Sequence, residues 1–115
     1  MNFPALLAAM IAVESGGDER AIGDSGRSIG ILQISRAVVQ DVNRRYGTHY
    51  VWPDDCYSRK KSVEICVGYL RRYGGRSQSP EKWARIWCGG PQGHRKAATK
   101  PYWEKVKQQL NQKKS

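Results

Sequence analysis

The sequence predicts a mainly α fold of about five helices, with a small irregular or β-hairpin insertion after the first helix. Three observations carry this. Apolar residues recur at helical spacing in five stretches, each bounded by cap or stop residues. Residues 16–30 break that period with Gly, Asp, Ser and Arg. No internal repeat or linker divides the chain, so 1–115 reads as a single domain.

Asn2 and Pro4 signal the first helix start, and Phe3, Leu6, Leu7, Met10, Ile11 and Val13 carry the helix to about Ser15, where Gly16 and Gly17 stop it. Ile29, Ile31, Leu32 and Ile34 return the chain to a core after the polar insertion. Ser35 caps a second helix with Val38, Val39 and Val42 on its inner side and Gly47 at its end. A loop around Trp52-Pro53 leads to a third helix from about Ser58 to Tyr73, ended by Gly74 and Gly75. Ser79-Pro80-Glu81 opens a fourth, with Trp83, Ile86 and Trp87 inward. After Gly89-Gly90-Pro91, Thr99 caps a last helix bearing Trp103, Val106 and Leu110, with Trp103 expected to be buried.

The 115 residues hold 20 Lys and Arg against 10 Asp and Glu, a formal charge of +10. Such a balance attracts anionic partners such as nucleic acid, membranes and wall polymers, and does not bear on fold. The charges are spread along the chain, with Lys113 and Lys114 reading as a cationic end. No RNA-binding or zinc-finger pattern accompanies them, so no specific nucleic acid is expected. Two histidines and scattered cysteines match no metal-ligand spacing, and no phosphate loop follows a strand, so no metal or cofactor is expected. Three cysteines are too few for a disulfide scaffold. Cys56 with Cys66 in a disulfide, or a fully reduced chain, both fit, and a small buried hydrophobe is the usual fate of a lone cysteine such as Cys88. No stretch reaches membrane-spanning length, and Phe3–Val13 reads as a domain helix rather than a signal peptide.

Glu14 is the residue that calls for explanation. It closes an apolar helix, where partial desolvation raises a carboxyl pKa and keeps the acid protonated near neutrality. Glycosidic cleavage needs such an acid to protonate the leaving oxygen. An ordinary surface glutamate at a helix end fits the same position. Asp24 begins an Asp-Ser-Gly stretch that reads equally as a turn.

Val13-Glu14-Ser15-Gly16-Gly17 followed by Gly30-Ile31-Leu32-Gln33-Ile34 resembles the paired Glu-Ser and Gly-Leu-Met-Gln motifs of lytic transglycosylases and goose-type lysozymes. In the C-terminal half, Cys66–Tyr73, then Ala84–Gly93, then Thr99 with Tyr102-Trp103-Glu104-Lys105-Val106, resemble the invertebrate-type (destabilase-like) lysozymes. The resemblance spans residues 5–106 and implies a lysozyme-like α+β fold.

The activity it implies is that of a muramidase cutting the β-1,4 bond between N-acetylmuramic acid and N-acetylglucosamine. Glu14 is then the general acid. Asp24, ten residues later and six before Gly30, takes the place of the second acid, ahead of Asp18 and Glu19. Its interval is one or two residues shorter than the family's. Ser28, Gln33, Ile34, Tyr69, Tyr73, Gly89, Gly90 and Tyr102 are implied as substrate contacts. Gln33 would offer its amide to sugar hydroxyls, and Trp83 would be buried. Cys88 stands where the family carries asparagine, which leaves a thiol in the cleft as one reading.

A lytic transglycosylase using Glu14 alone, and a non-catalytic cationic binding protein, are the alternatives. The implied partners are peptidoglycan glycan strands and a proteinaceous lysozyme inhibitor, acting on a monomer. The location is secreted, periplasmic or phage-delivered to the wall. A phage endolysin or a bacterial hydrolase fits better than an animal protein, because animal members are richer in cysteine.

Overall fold

The structure, a computed structural model, describes residues 1–112, so the expectation for Lys113 and Lys114 lies outside the described residues. Five helices follow in order: α1 (Phe3–Ser15), α2 (Arg36–Tyr46), α3 (Arg59–Gly74), α4 (Pro80–Gly89) and α5 (Lys100–Gln112). Between α1 and α2 lies a two-stranded antiparallel hairpin, β1 (Ile22–Gly23) and β2 (Ser28–Ile29), in the register Ile22 to Ile29 and Gly23 to Ser28.

The helix ends use the signals present in the chain. The Asn2 side chain accepts from Ala5 N at 3.1 Å, Ser58 from Lys61 N at 3.2 Å and Ser79 from Lys82 N at 3.2 Å, each satisfying a donor that the first turn leaves open. Ser35 accepts from Val38 N at 3.4 Å, and Gly47 closes α2 in the left-handed region at φ 66°. Thr99, immediately before α5, is also bonded to α4. Its hydroxyl accepts from Arg85 Nε at 2.8 Å and reaches the Gly93 carbonyl at 2.7 Å.

By compactness the chain forms two units. One comprises Met1–Val13 and the chain from Leu70 onward. Its buried residues include Leu6, Met10, Leu70, Ile86, Trp87 and Val106. Fully burying side chains of this kind contributes about 1.5–3 kcal/mol each. Here α4 packs on α5, and Phe3 meets Trp83 edge-on with ring centroids 5.2 Å apart.

Arg85 is buried in this unit but fully partnered. Besides Thr99 it donates to Glu81 Oε2 at 2.7 Å and the Lys96 carbonyl at 3.0 Å. A buried guanidinium with one partner removed would cost several kcal/mol, and this network avoids that. Trp103, expected to be buried, is half-buried on α5.

The other unit runs from Glu14 to Tyr69 and holds Ile29, Ile31, Leu32, Ile34, Val39, Val42, Ile65 and Cys66 in its core. Cys56 is buried there as well, and Ser62, also buried, donates to the Cys56 carbonyl at 2.9 Å. No disulfide forms: Cys56 and Cys66 are both reduced. Cys88 is exposed at the end of α4, contrary to a buried hydrophobic role. Among the described residues no helix is long and apolar enough to cross a membrane.

Candidate active site

Glu14 is the penultimate residue of α1 and is half-buried. Its neighbour Ser15 explains why a serine follows. The Ser15 hydroxyl donates to the Ile31 carbonyl at 2.8 Å and accepts from Gly17 N at 3.1 Å. One side chain thus ends the helix and fastens it to the Gly30–Ile34 segment. Gly16 and Gly17, at φ 66° and 90°, turn the chain away immediately afterwards.

Cys66 of α3 lies within electrostatic reach of Glu14. Burial first, and then the negative charge of Glu14, push the Cys66 thiol well above the usual thiol range. The thiol is therefore a neutral, water-free neighbour within electrostatic reach of the acid. Sequence reasoning did not pair these residues, because their proximity depends on how α3 lies, and no local pattern records that.

The hairpin presents Asp24 in an exposed turn. Asp24, Ser25 and Gly26 all lie at positive φ (51°, 56° and 89°), and Arg27 N closes the turn on the Asp24 carbonyl at 3.2 Å. Non-glycine residues are uncommon in this region, though Asp tolerates it better than most. Asp18 instead accepts from Arg20 N at 2.9 Å, a local turn role, and Glu19 is exposed.

The second motif is a tight turn. Gln33 N donates to the Gly30 carbonyl at 3.1 Å, and Ile29 and Ile34 exchange backbone hydrogen bonds at 3.1 and 2.9 Å. Gly30 sits at φ 82°, and any Cβ there would overlap the Cys56 carbonyl, so glycine is required by both conformation and space. The Gln33 amide turns inward: Nε2 donates to the Gly30 carbonyl at 3.1 Å and the Ala21 carbonyl at 3.3 Å. Ile34 is fully buried, so its side chain belongs to the core and not to a sugar-facing surface. Its carbonyl accepts from the Trp52 indole at 2.9 Å. Ser28 is half-buried on β2 opposite Gly23.

Thus the Glu14–Tyr69 unit brings together Glu14, Ser15, the Gly30–Ile34 turn and the Asp24 hairpin. Tyr69 belongs to it but is only 6% exposed, so it is mainly a core residue rather than a lining one. Tyr73, Gly89, Gly90 and Tyr102 belong to the other unit. Tyr73 and Tyr102 are half-buried, and Gly90 ends α4 at φ 89°. Gly89 is close-packed: a Cβ there would lie 2.5 Å from Thr99 Cγ2. His49 is exposed, and His94 is half-buried in the second unit with Nδ1 sealed from solvent and without a hydrogen-bond partner.

The chain is 38% identical over 86 residues to "Lysozyme" of Magallana gigas, covering 71% of this chain and 60% of that protein. It is 33% identical over 82 residues to "Lysozyme 1" of Crassostrea virginica, covering 71% of this chain and 45% of that protein. The chain therefore spans less than two thirds of either relative's length. Its backbone superposes with a TM-score of 0.78 and 28% identity on a chain in the crystal structure of Aeromonas hydrophila PliI in complex with Meretrix lusoria lysozyme, over 90% of this chain and 87% of that one. The fold is lysozyme-like. The sequence profile of the Transglycosylase SLT domain matches residues 1–110, and the chain belongs to that family.

Proposed function

We propose that this chain is a peptidoglycan-cleaving glycosidase that acts on the bond between N-acetylmuramic acid and N-acetylglucosamine, with residues 1–115 working as one catalytic domain and as a monomer. The observation that carries the reading is the setting of Glu14: a half-buried carboxyl at a helix end that Ser15 fastens to the Gly30–Ile34 turn, within electrostatic reach of the buried thiol of Cys66. A proton donor held in fixed geometry and partly shielded from water is what departure of a glycosidic oxygen requires.

In the hydrolytic reaction Glu14 protonates the bridging oxygen as the C1–O bond breaks, and positive charge develops on the sugar ring. Asp24 stabilises that charge or attacks C1, and water completes the cleavage with Glu14 acting as base. A +10 chain is steered toward an anionic wall, so the rate of wall lysis falls with ionic strength. The site of action is outside the cell, at the wall. A proteinaceous lysozyme inhibitor is the regulatory partner that the resemblance suggests.

The family favours a second reading, lytic transglycosylation. There the muramic C6 hydroxyl attacks C1, Glu14 passes protons, and no water is consumed. The exposed position of Asp24 suits this reading, in which it is dispensable.

A turbidity assay on bacterial walls comparing wild type, Glu14→Gln and Asp24→Asn tests both. Glu14→Gln is expected to reduce lysis by about 100-fold or more with folding intact, and retained lysis would end both readings. Mass spectrometry of the products separates them, because an anhydro end is lighter than a reducing end by one water. Absence of lysis by the wild type, with retained salt-sensitive binding to polyanions, would favour a cationic binding protein.

A further inference from the structure

Gln33 is held in an unusual state. Its φ of 53° lies in the left-handed region, which carries a conformational cost for a residue other than glycine. Its backbone N–H and its side-chain Nε2 both donate to the Gly30 carbonyl, each at 3.1 Å. The same Nε2 donates to the Ala21 carbonyl at 3.3 Å, and Gly30 N donates to that carbonyl at 2.8 Å.

Ala21 immediately precedes β1, and Gly30 immediately follows β2. One amide therefore bridges the two stems of the hairpin. Its oxygen is fixed by close packing. The Gln33 Oε1 lies against Gly23 of β1 so closely that a Cβ at position 23 would overlap it. Asp24 is the next residue after that contact. A primary amide nitrogen carries two protons, and both have acceptors inside the protein, which leaves none for a sugar hydroxyl.

We infer that Gln33 is a positioning residue that latches the hairpin and so sets the place of Asp24, rather than a ligand for substrate. The inference rests on the hydrolytic reading above, in which Asp24 takes part. Gly23 is the other half of the latch: its missing side chain is the space that the Gln33 amide occupies. The cost of the left-handed backbone at Gln33 is offset by the three hydrogen bonds that this conformation permits.

Two variants attack the latch from opposite sides. Gln33→Asn keeps an amide on a residue that tolerates positive φ but is one methylene too short to span the stems. Gly23→Ala leaves Gln33 unchanged and expels its amide. Amide hydrogen exchange is read across the whole chain, and kcat and KM are measured on soluble glycan strands.

Both variants are expected to accelerate exchange at the Ile29 and Gly30 amides by about tenfold or more, while α2 and α3 keep their protection. The value of kcat is expected to fall about tenfold, with KM changed less than about twofold. In an Asp24→Asn background the further loss from Gln33→Asn is expected to vanish, because both act through one group.

Unchanged hairpin exchange together with a raised KM in Gln33→Asn would make Gln33 a sugar contact and overturn the inference. So would a fully additive loss of kcat in the double variant. If the wild type cleaves no glycan, the functional reading fails on that result alone. The exchange rates then decide the latch: acceleration in both variants upholds it, and unchanged rates overturn it.

Discussion

Ser15 and Ile31 are joined by a 2.8 Å hydrogen bond from a side-chain hydroxyl to a backbone carbonyl, sixteen positions apart in sequence. The bond fixes the residue next to Glu14 against the turn that follows the hairpin. It gives the Glu-Ser pair a physical reading: in the proposed reaction the glutamate would carry the chemistry, and the serine holds the residue beside it in place.

Ser15→Ala removes that bond and leaves a part-buried carbonyl without its donor. The loss is expected to be about 1–2 kcal/mol of unfolding free energy, measured as a lower urea midpoint at unchanged slope. Wall lysis should fall alongside, because the end of α1 gains freedom. An unchanged midpoint would mean that water replaces the serine without cost.

Two glycines of the same segment are expected to answer very differently to alanine. At Gly30 a Cβ meets the Cys56 carbonyl, which is backbone and cannot rotate aside. Gly30→Ala should cost about 3 kcal/mol or more, or yield no soluble protein. At Gly26 nothing lies within 4 Å, so only the positive φ of 89° opposes a side chain. Gly26→Ala should cost about 1 kcal/mol. Denaturant unfolding of the pair checks the contrast.

The cysteines should separate by reactivity. Cys56 is 1% exposed with its pKa pushed up to about 12, first by burial and then by Asp55, and the buried Cys66 thiol is likewise raised well above the usual range. Both are poor nucleophiles in the fold. Cys88 is exposed. Native protein at neutral pH should take up one equivalent of an alkylating reagent, at Cys88, and denatured protein three. Rapid native labelling of Cys66 would mean that the wall beside Glu14 opens.

His94 makes stability depend on acidity. Burial first, then the charges of Lys82, Arg95 and Arg85, hold its pKa below the usual 6.5. A depressed histidine favours the neutral form in the folded state, so the unfolded chain binds the proton more readily. Its contribution is present above pH 6.5 and is lost as pH falls below that value toward the lower folded pKa. His94→Gln should flatten the decline of Tm between neutrality and mild acid. If the variant declines as the wild type does, the dependence has another source. Asp55 acts lower on the scale. Val51 N first and Lys61 second depress its carboxyl below 3.8, so the stability it contributes is present above that value and fails only as pH falls through the lower folded pKa.

Where a structural decision is local, the sequence recorded it. Ser35, Ser79 and Gly47 mark helix ends because a cap is satisfied within three or four residues, and the apolar spacing of α2 sets which face is buried. The hairpin between α1 and α2 was legible as a break in period.

What escaped depended on distant partners. Gln33 reads as a residue with its amide free for sugar hydroxyls until Ala21 and Gly23 are placed around it. Nothing near Arg85 in the chain marks it as interior; Thr99 and Lys96, more than ten residues on, enclose it. Ile34 and Tyr69 read as lining residues, because nothing in a short window tells how much of a side chain a later segment covers. Cys88 fails in the other direction: a residue type that is usually interior lies at a helix end left open.

The indole of Trp52 is the one tryptophan between Glu14 and Tyr69, and it donates to the carbonyl of Ile34, the last residue of the Gly30–Ile34 turn. Nature has thereby wired a fluorophore to that half of the molecule. With Trp83, Trp87 and Trp103 replaced by phenylalanine, emission colour and quenching would report in real time whether the glutamine turn is seated.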